Sequence, residues 1–187
     1  MEGKQDLRVI KTHQAIRKAF SDMICEMDYG QISIKELAAR AQINRKTFYL
    51  HYESIDKLLE ELQDEIVAGY TKQAISYSSM KDIRKIIRYY FESMAKASKL
   101  NETLMCNGSY RHISDRINEL IMKHRKKVNQ GVFGLDREKE SLVFAYFGSV
   151  SAILYRQWVA DGKKLPLEEL IAMATKLICS GMESVVK

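Results

Sequence analysis

Apolar residues recur every three or four positions in one segment of this chain after another. Nowhere do they alternate with the period of two that marks a half-buried strand. Ile16, Ala19, Phe20, Met23, Ile24 and Met27 make one face of a helix over about residues 10–27. Tyr29-Gly30 is expected to stop it, with the glycine left-handed at its end. A second stripe, Ile55, Leu58, Leu59, Leu62, Ile66, Tyr70 and Ala74, predicts a helix from 55 to about 77, broken by the serines around Tyr77. A third helix over about 81–99 carries Ile83, Ile86, Ile87, Tyr90, Phe91 and Met94, and residues 100–110 read as a short helix with loops. Ile113, Ile117, Leu120 and Ile121 stripe a helix over about 113–130, and Gly131 and Gly134 mark a turn.

The last two helices are the most apolar. Residues 137–160, capped by Asp136, hold Leu142, Phe144, Phe147, Val150, Ile153, Leu154 and Trp158 around much of the circumference, which means burial on two sides. Gly148 and Ala152, with Ala145 and Ser149, would let another backbone approach closely. Asp161-Gly162 ends this helix, and Pro166 is expected at the first position of the next, which runs to about 186. This is more apolar surface than one small domain covers. It implies a homodimer through 137–160 and 166–186, a four-helix bundle from two chains; an intramolecular core alone is the other reading.

Between the first two stripes, caps carry the signal. Ser33 with Glu36 makes a capping box. Leu37, Ala38 and Ala41 give a small apolar face, Gln42 and Ile43 a turn, and Asn44 a cap for a short helix through His51; Ser54 caps the helix after it. The pattern predicts an all-α fold: a three-helix helix-turn-helix head over 1–53 and a helical body over 54–187.

The short helix has the chemistry for a DNA major groove. At 100° per residue Phe48 and Tyr52 fall together and pack inward, and Lys46 and Leu50 point nearly opposite. Arg45 and Lys46 can reach guanine O6 and N7, and Leu50 or the Thr47 methyl a thymine methyl. Thr47, Tyr49 and His51 can hold phosphates, which fix register. The bland alternative is a solvated basic helix with Tyr49 half-buried.

Composition adds little. Thirty Lys+Arg against 24 Asp+Glu give +6 and a pI near 9.1, a mild bias toward nucleic acid. The basic run Lys123, Arg125, Lys126 and Lys127 lies at a helix end, where cations complement the dipole, so a structural role competes with a second DNA contact. Cys25, Cys106 and Cys179 are odd in number and widely spaced, as reduced thiols in a cytosolic protein are. The charged N-terminus reads as no signal peptide, and no apolar run is long enough for a membrane. His13, His51, His112 and His124 have no metal spacing, and no GxSxG or glycine-rich phosphate loop occurs. No enzyme activity, metal or cofactor is expected, and the localisation expected is cytoplasmic.

TFYLHY, ten residues beyond IKELAARA and preceded by AIRKAFSDMICEMDYGQISI, resembles the DNA-binding head of the tetracycline-repressor (TetR) family over about residues 10–60. The resemblance implies base contacts from Arg45 and Lys46, phosphate contacts from Thr47, Tyr49 and His51, and core positions at Phe48 and Tyr52. Two positions depart from the family's pattern. Gln42 stands where a turn glycine is common, which implies a slightly strained or differently shaped turn. Ile55 stands where a phosphate-binding lysine is common, with Lys57 as its candidate replacement. YRQWVADG is similar to the bodies of short TetR-type regulators from Firmicutes, which implies a Gram-positive host. The family implies a ligand-responsive repressor, dimeric on a near-palindromic operator in double-stranded DNA. Tyr70, Tyr90, Phe91, Met94, Met105, Tyr110 and Phe147 are the candidates for an effector cavity; plain core packing is the other reading of each. The alternative function is a TetR-like coregulator or activator controlled by a protein partner.

Overall fold

The computed structural model describes residues 7–72, 83–128, 131 and 133–186. The described residues are all-α. α1 (Leu7–Glu26) is followed by a 3-10 turn (Tyr29–Gln31), α2 (Ile34–Arg40), α3 (Arg45–His51) and α4 (Ile55–Lys72). α5 (Ile83–Ala95), α6 (Lys99–Cys106), a second 3-10 turn (Gly108–Tyr110), α7 (Arg111–Val128), α8 (Arg137–Ala160) and α9 (Leu167–Glu183) complete it. The expected extension of α4 to residue 77, the serine break and the start of α5 at 81 lie outside the described residues.

Caps define the head. Ser33 Oγ accepts from the Glu36 N–H at 3.2 Å, Asn44 Oδ1 from the Thr47 N–H at 2.8 Å, and Ser54 Oγ from the Lys57 N–H at 3.2 Å. Each satisfies an N–H that the first turn of a helix leaves without a partner. The Ser33 box is only half made, because the Glu36 carboxylate is held by Arg40 at 2.8 Å. One expected stop is different. Gly30 is not left-handed; it lies in the 3-10 turn, whose start is capped by Asp28, and α1 has already ended at Glu26. Pro166 also differs: it is the N-cap of α9 with extended ψ, and the first helical position is Leu167.

α2 ends in a Schellman motif. The Ile43 N–H reaches the Ala38 carbonyl and the Gln42 N–H the Ala39 carbonyl, which requires Gln42 at φ +55°. A non-glycine residue is strained there, as the missing turn glycine implied. α8 ends in the same way, but with Gly162 at φ +72°. Lys163 follows at φ +56°, its ammonium 5.6 Å over the Trp158 ring. The YRQWVADG segment thus has a packing account. The Tyr155 hydroxyl donates to the Met94 carbonyl at 3.0 Å, the Trp158 indole to the Leu165 carbonyl at 2.7 Å, and Asp161-Gly162 turns the chain into α9.

One apolar core runs from Phe20, Leu37 and Phe48 in the head through Leu58 and Leu62 of α4 to Phe91, Tyr155 and Ile178 in the body. α4 packs on α7, α5 on α9, and α6 against both α7 and the first helix. Head and body are also joined by polar contacts. The Tyr110 hydroxyl donates to the Met27 carbonyl at 2.7 Å, and Tyr29 hydrogen-bonds Asp56 at the start of α4. Gly148 does not meet a neighbouring backbone as its spacing suggested. Its open side faces the Met122 side chain of α7, and a Cβ there would lie 2.8 Å from the sulfur. Glu140 is buried on the first turn of α8. Its carboxylate accepts the N–H groups of Gly131 and Phe133, which fastens the preceding turn where both Gly131 and Gly134 are left-handed.

Candidate functional site

α3 has two faces because two aromatic rings hold it down. Phe48 is fully buried and Tyr52 nearly so, their rings tilted by 33° with centroids 5.9 Å apart. The Tyr52 oxygen lies 2.6 Å from His13 Nε2 of α1, and His13 lies 3.3 Å from Glu61 of α4. Arg17 pairs with Glu61 at 2.7 Å and with Glu65, and this guanidinium holds the Glu65 carboxyl below its usual range. Burial, then the Glu61 carboxylate, pushes the Tyr52 hydroxyl up, so it stays protonated. The carboxyl end of α3 is therefore fixed to α1 and α4 at once.

The opposite face is open. Arg45 and Lys46 are exposed in the first turn, Leu50 is 79% exposed and Tyr49 50% exposed. Leu50 thus lies beside two cations on a seven-residue helix and packs against little of its own chain. Thr47 and His51 are half-buried at the flanks. The Thr47 hydroxyl donates to Asn44 Oδ1 at 3.1 Å, and the His51 ring lies 6.4 Å from that of His13. Lys57 is exposed on α4 but turned along its own helix, with its ammonium 2.7 Å from Glu60. A groove that admits an α-helix takes such a face, with the cations reaching base edges or phosphates.

The body holds a narrow, largely buried cavity of about 20 Å³. Five of the seven residues marked for an effector cavity line it: Tyr70, Tyr90, Met94, Met105 and Phe147. Phe91 does not; it is fully buried in the core against Tyr90. Tyr110 does not either, since its hydroxyl is committed to Met27. Sequence reasoning missed Asn118, Arg125 and Ser151 in the lining. Arg125 had been seen only as part of a basic helix end, and a lone polar residue on an apolar helix face was the available signal for Ser151.

α8 and α9 expose Leu142, Tyr146 and Ile153, and Met173 and Leu177, respectively. Cys25 and Cys106 are half-buried and Cys179 is buried, all three free. Burial pushes the Cys106 thiol up to about 11, so it is not a reactive thiolate. Among the described residues no three His, Cys, Asp or Glu gather as a metal site would require, and no helix is long and apolar enough to cross a membrane.

Comparison with known proteins places this arrangement. Residues 18–62 match the model of the bacterial regulatory proteins of the tetR family. A Bacillus subtilis protein called the uncharacterized HTH-type transcriptional regulator YxbF is 39% identical over 62 residues, 33% of this chain. The match spans only 16% of that longer relative. The HTH-type dhaKLM operon transcriptional activator DhaS of Lactococcus lactis is 21% identical over 175 residues, covering 90% of this chain and 89% of its own. Among solved structures, a TetR transcriptional regulator from Streptococcus agalactiae superposes with a TM-score of 0.69 at 21% identity, over 93% of this chain and 97% of that one. Bacillus subtilis FadR, solved with stearoyl-CoA, superposes at 0.65 with 18% identity over 90% and 98%. Residues 18–62 are thus a tetR-type helix-turn-helix segment, and the whole helical fold is the one these solved regulators share.

Proposed function

We propose that the protein acts in the cytoplasm as a homodimeric, ligand-responsive repressor, with two copies of α3 in successive major grooves of a near-palindromic operator. The observation that carries this is the open face of α3. Arg45, Lys46, Tyr49 and Leu50 project from a helix whose other face is pinned by Phe48 and Tyr52. Arg45 and Lys46 read bases, Leu50 meets a thymine methyl, and Thr47, Tyr49 and His51 hold phosphates. Lys57 reaches a phosphate only by leaving Glu60, a smaller role than the three on α3. The unit that recognises DNA is the segment through residue 53 together with the start of α4, and residues beyond it form the regulatory and dimerising body.

The exposed apolar row on α8 and α9 supports dimerisation there. Five large apolar side chains left in water on two adjacent helices are more than a monomer's surface usually carries together. The cavity lined by Tyr70, Tyr90, Met94, Met105 and Phe147 is about one water in size, and control by a small molecule requires that this space open. A specific observation favours a second reading of the sign: the relative DhaS, matching over nearly the whole chain, is by name an activator. A mobility-shift assay with DNA flanking the gene tests the core of the proposal. A salt-sensitive shift is the expected result, because phosphate contacts release counterions. No shift at low salt with any upstream fragment overturns it. A transcription assay on the shifted fragment then decides between repression and activation.

A further inference from the structure

Among the described residues of the body, three buried polar atoms have no hydrogen-bond partner: the Tyr90 hydroxyl, Ser151 Oγ and Arg156 Nη1. Such atoms are rare in folded proteins, because each is stripped of water without replacement. Ser151 is 1% exposed. A helical serine this deep usually donates to the carbonyl one turn back, and this one does not. Ser151 and Tyr90 line the narrow cavity, with Arg125 beside them. Arg156 stands in the neighbouring groove between α7 and α8, where its Nη1 forms an ion pair with Asp115 at 3.8 Å, beyond hydrogen-bond reach. Burial and then Tyr70 push the Tyr90 hydroxyl up, and Arg125 and Arg156 oppose that shift, which puts both cations near its oxygen.

The groove is open and has a volume of about 650 Å³; its charged lining is Asp115, Glu119, Lys123, Lys126 and Arg156. Groove and cavity share Asn118, Met122 and Gly148. Met122 therefore stands between them, seated against a residue without a side chain. Methionine has three rotatable side-chain bonds and repacks readily. Turning it aside would join the small cavity to the large groove. The rest of the cavity wall (Tyr70, Met94, Met105, Phe147) is apolar or soft.

We infer that this merged space is a binding site for a small amphiphilic organic anion, a carboxylate or phosphate monoester on an apolar body, with Met122 as its door. The anionic group takes hydrogen bonds from Tyr90 and Ser151 and faces Arg125 and Arg156; the apolar body lies against Met94, Met105 and Phe147. The inference rests on the reading that the body responds to a small molecule, and it names the class.

The test uses the full-length dimer and four probes: octanoate and phenyl phosphate, with octan-1-ol and phenol as uncharged counterparts. Calorimetric titration is expected to show at least one anion binding about tenfold or more tighter than its counterpart. The double variant Y90F/S151A is expected to weaken that anion about tenfold while the ligand-free melting temperature holds or rises, since it removes two unpaired polar groups. Met122→Ala is expected to speed association in stopped flow for the same anion. Three results each overturn the site: no anion bound at millimolar concentration, anion and uncharged probe bound alike, or a lower ligand-free melting temperature in the double variant. The last would assign the two hydroxyls to a structural water, for which a space of this size suffices. The mobility shift is run in parallel on the unliganded protein. Protein that shifts DNA and binds no anion refutes the site alone, and protein that binds the anion and shifts no DNA refutes the regulator alone.

Discussion

Replacing Gln42 by glycine is expected to stabilise the protein, although the change removes atoms and adds no contact. Gln42 occupies the left-handed position of the Schellman motif between α2 and α3, at φ +55°. An L-residue there costs about 1–2 kcal/mol relative to its right-handed conformation. Glycine has no such cost, but its freer unfolded chain returns about 0.5–1 kcal/mol. Gln42 is exposed, so little packing is lost. The net is a gain of up to about 1.5 kcal/mol, centred on about 0.7, or roughly 1–3 °C in melting temperature for a chain of this length. Two controls separate backbone strain from side-chain effects. Gln42→Ala keeps the strain and is expected to match the wild type within about 0.5 kcal/mol. Lys163→Gly relieves a similar φ of +56° but gives up the contact over Trp158 and the 2.5 Å pair with Glu102, so no gain is expected. The assay is scanning calorimetry of the three variants beside the wild type. A Gln42→Gly melting temperature at or below that of the wild type refutes the reasoning, and so does a gain shared by Gln42→Ala.

Arg45→Ala is expected to weaken operator binding by about 1–3 kcal/mol and to relax selection at one operator position; a uniform loss across sequences makes it a phosphate contact instead. Phe48→Ala empties a fully buried site and is expected to cost about 3–5 kcal/mol by denaturant unfolding, with the head losing its DNA affinity. Wild-type protein is expected to scatter light as the proposed dimer at micromolar concentration, and Leu177→Asp, alone or with Leu142→Asp, as a monomer; a mass unchanged by the substitutions refutes the α8–α9 interface. Arg17 holds the Glu65 carboxylate below its ordinary range, so the folded pKa is depressed. That contribution is complete above the ordinary carboxylate pKa and is lost as pH falls through the lowered value, and Arg17→Met is expected to flatten the acid limb of melting temperature against pH.

The head was legible because its signals are local. Ser33, Asn44 and Ser54 cap their helices by contacts three residues away, and Phe48 and Tyr52 turn inward by helical period alone. The body was legible as helices but not as an arrangement. Tyr110 and Phe91 looked like cavity residues because composition cannot say where a hydroxyl points; a carbonyl 83 residues earlier captured one, and the core took the other. Gly148 signalled close approach correctly, but whether a backbone or a methionine approaches is decided by the packing of α7 on α8. Gly30 and Pro166 show a further limit. Both residue types mark a helix boundary, but the position each takes at it depends on the cap beside it. Ser151 carried the least signal of all, one polar residue in an apolar helix.

The Tyr110 hydroxyl on the Met27 carbonyl bears on how this protein can be taken apart. A fragment cut at residue 53 keeps α1 to α3 but loses α4, whose Leu58, Leu59 and Leu62 belong to the same core. It also leaves the end of α1 without α6 and without the donor that reaches it from the body. The head is a unit of recognition without being a unit of folding. A chimera that moves it onto another body must bring α4 along and find a tyrosine at the place of Tyr110, or it carries an orphaned carbonyl at the joint through which the body holds the head.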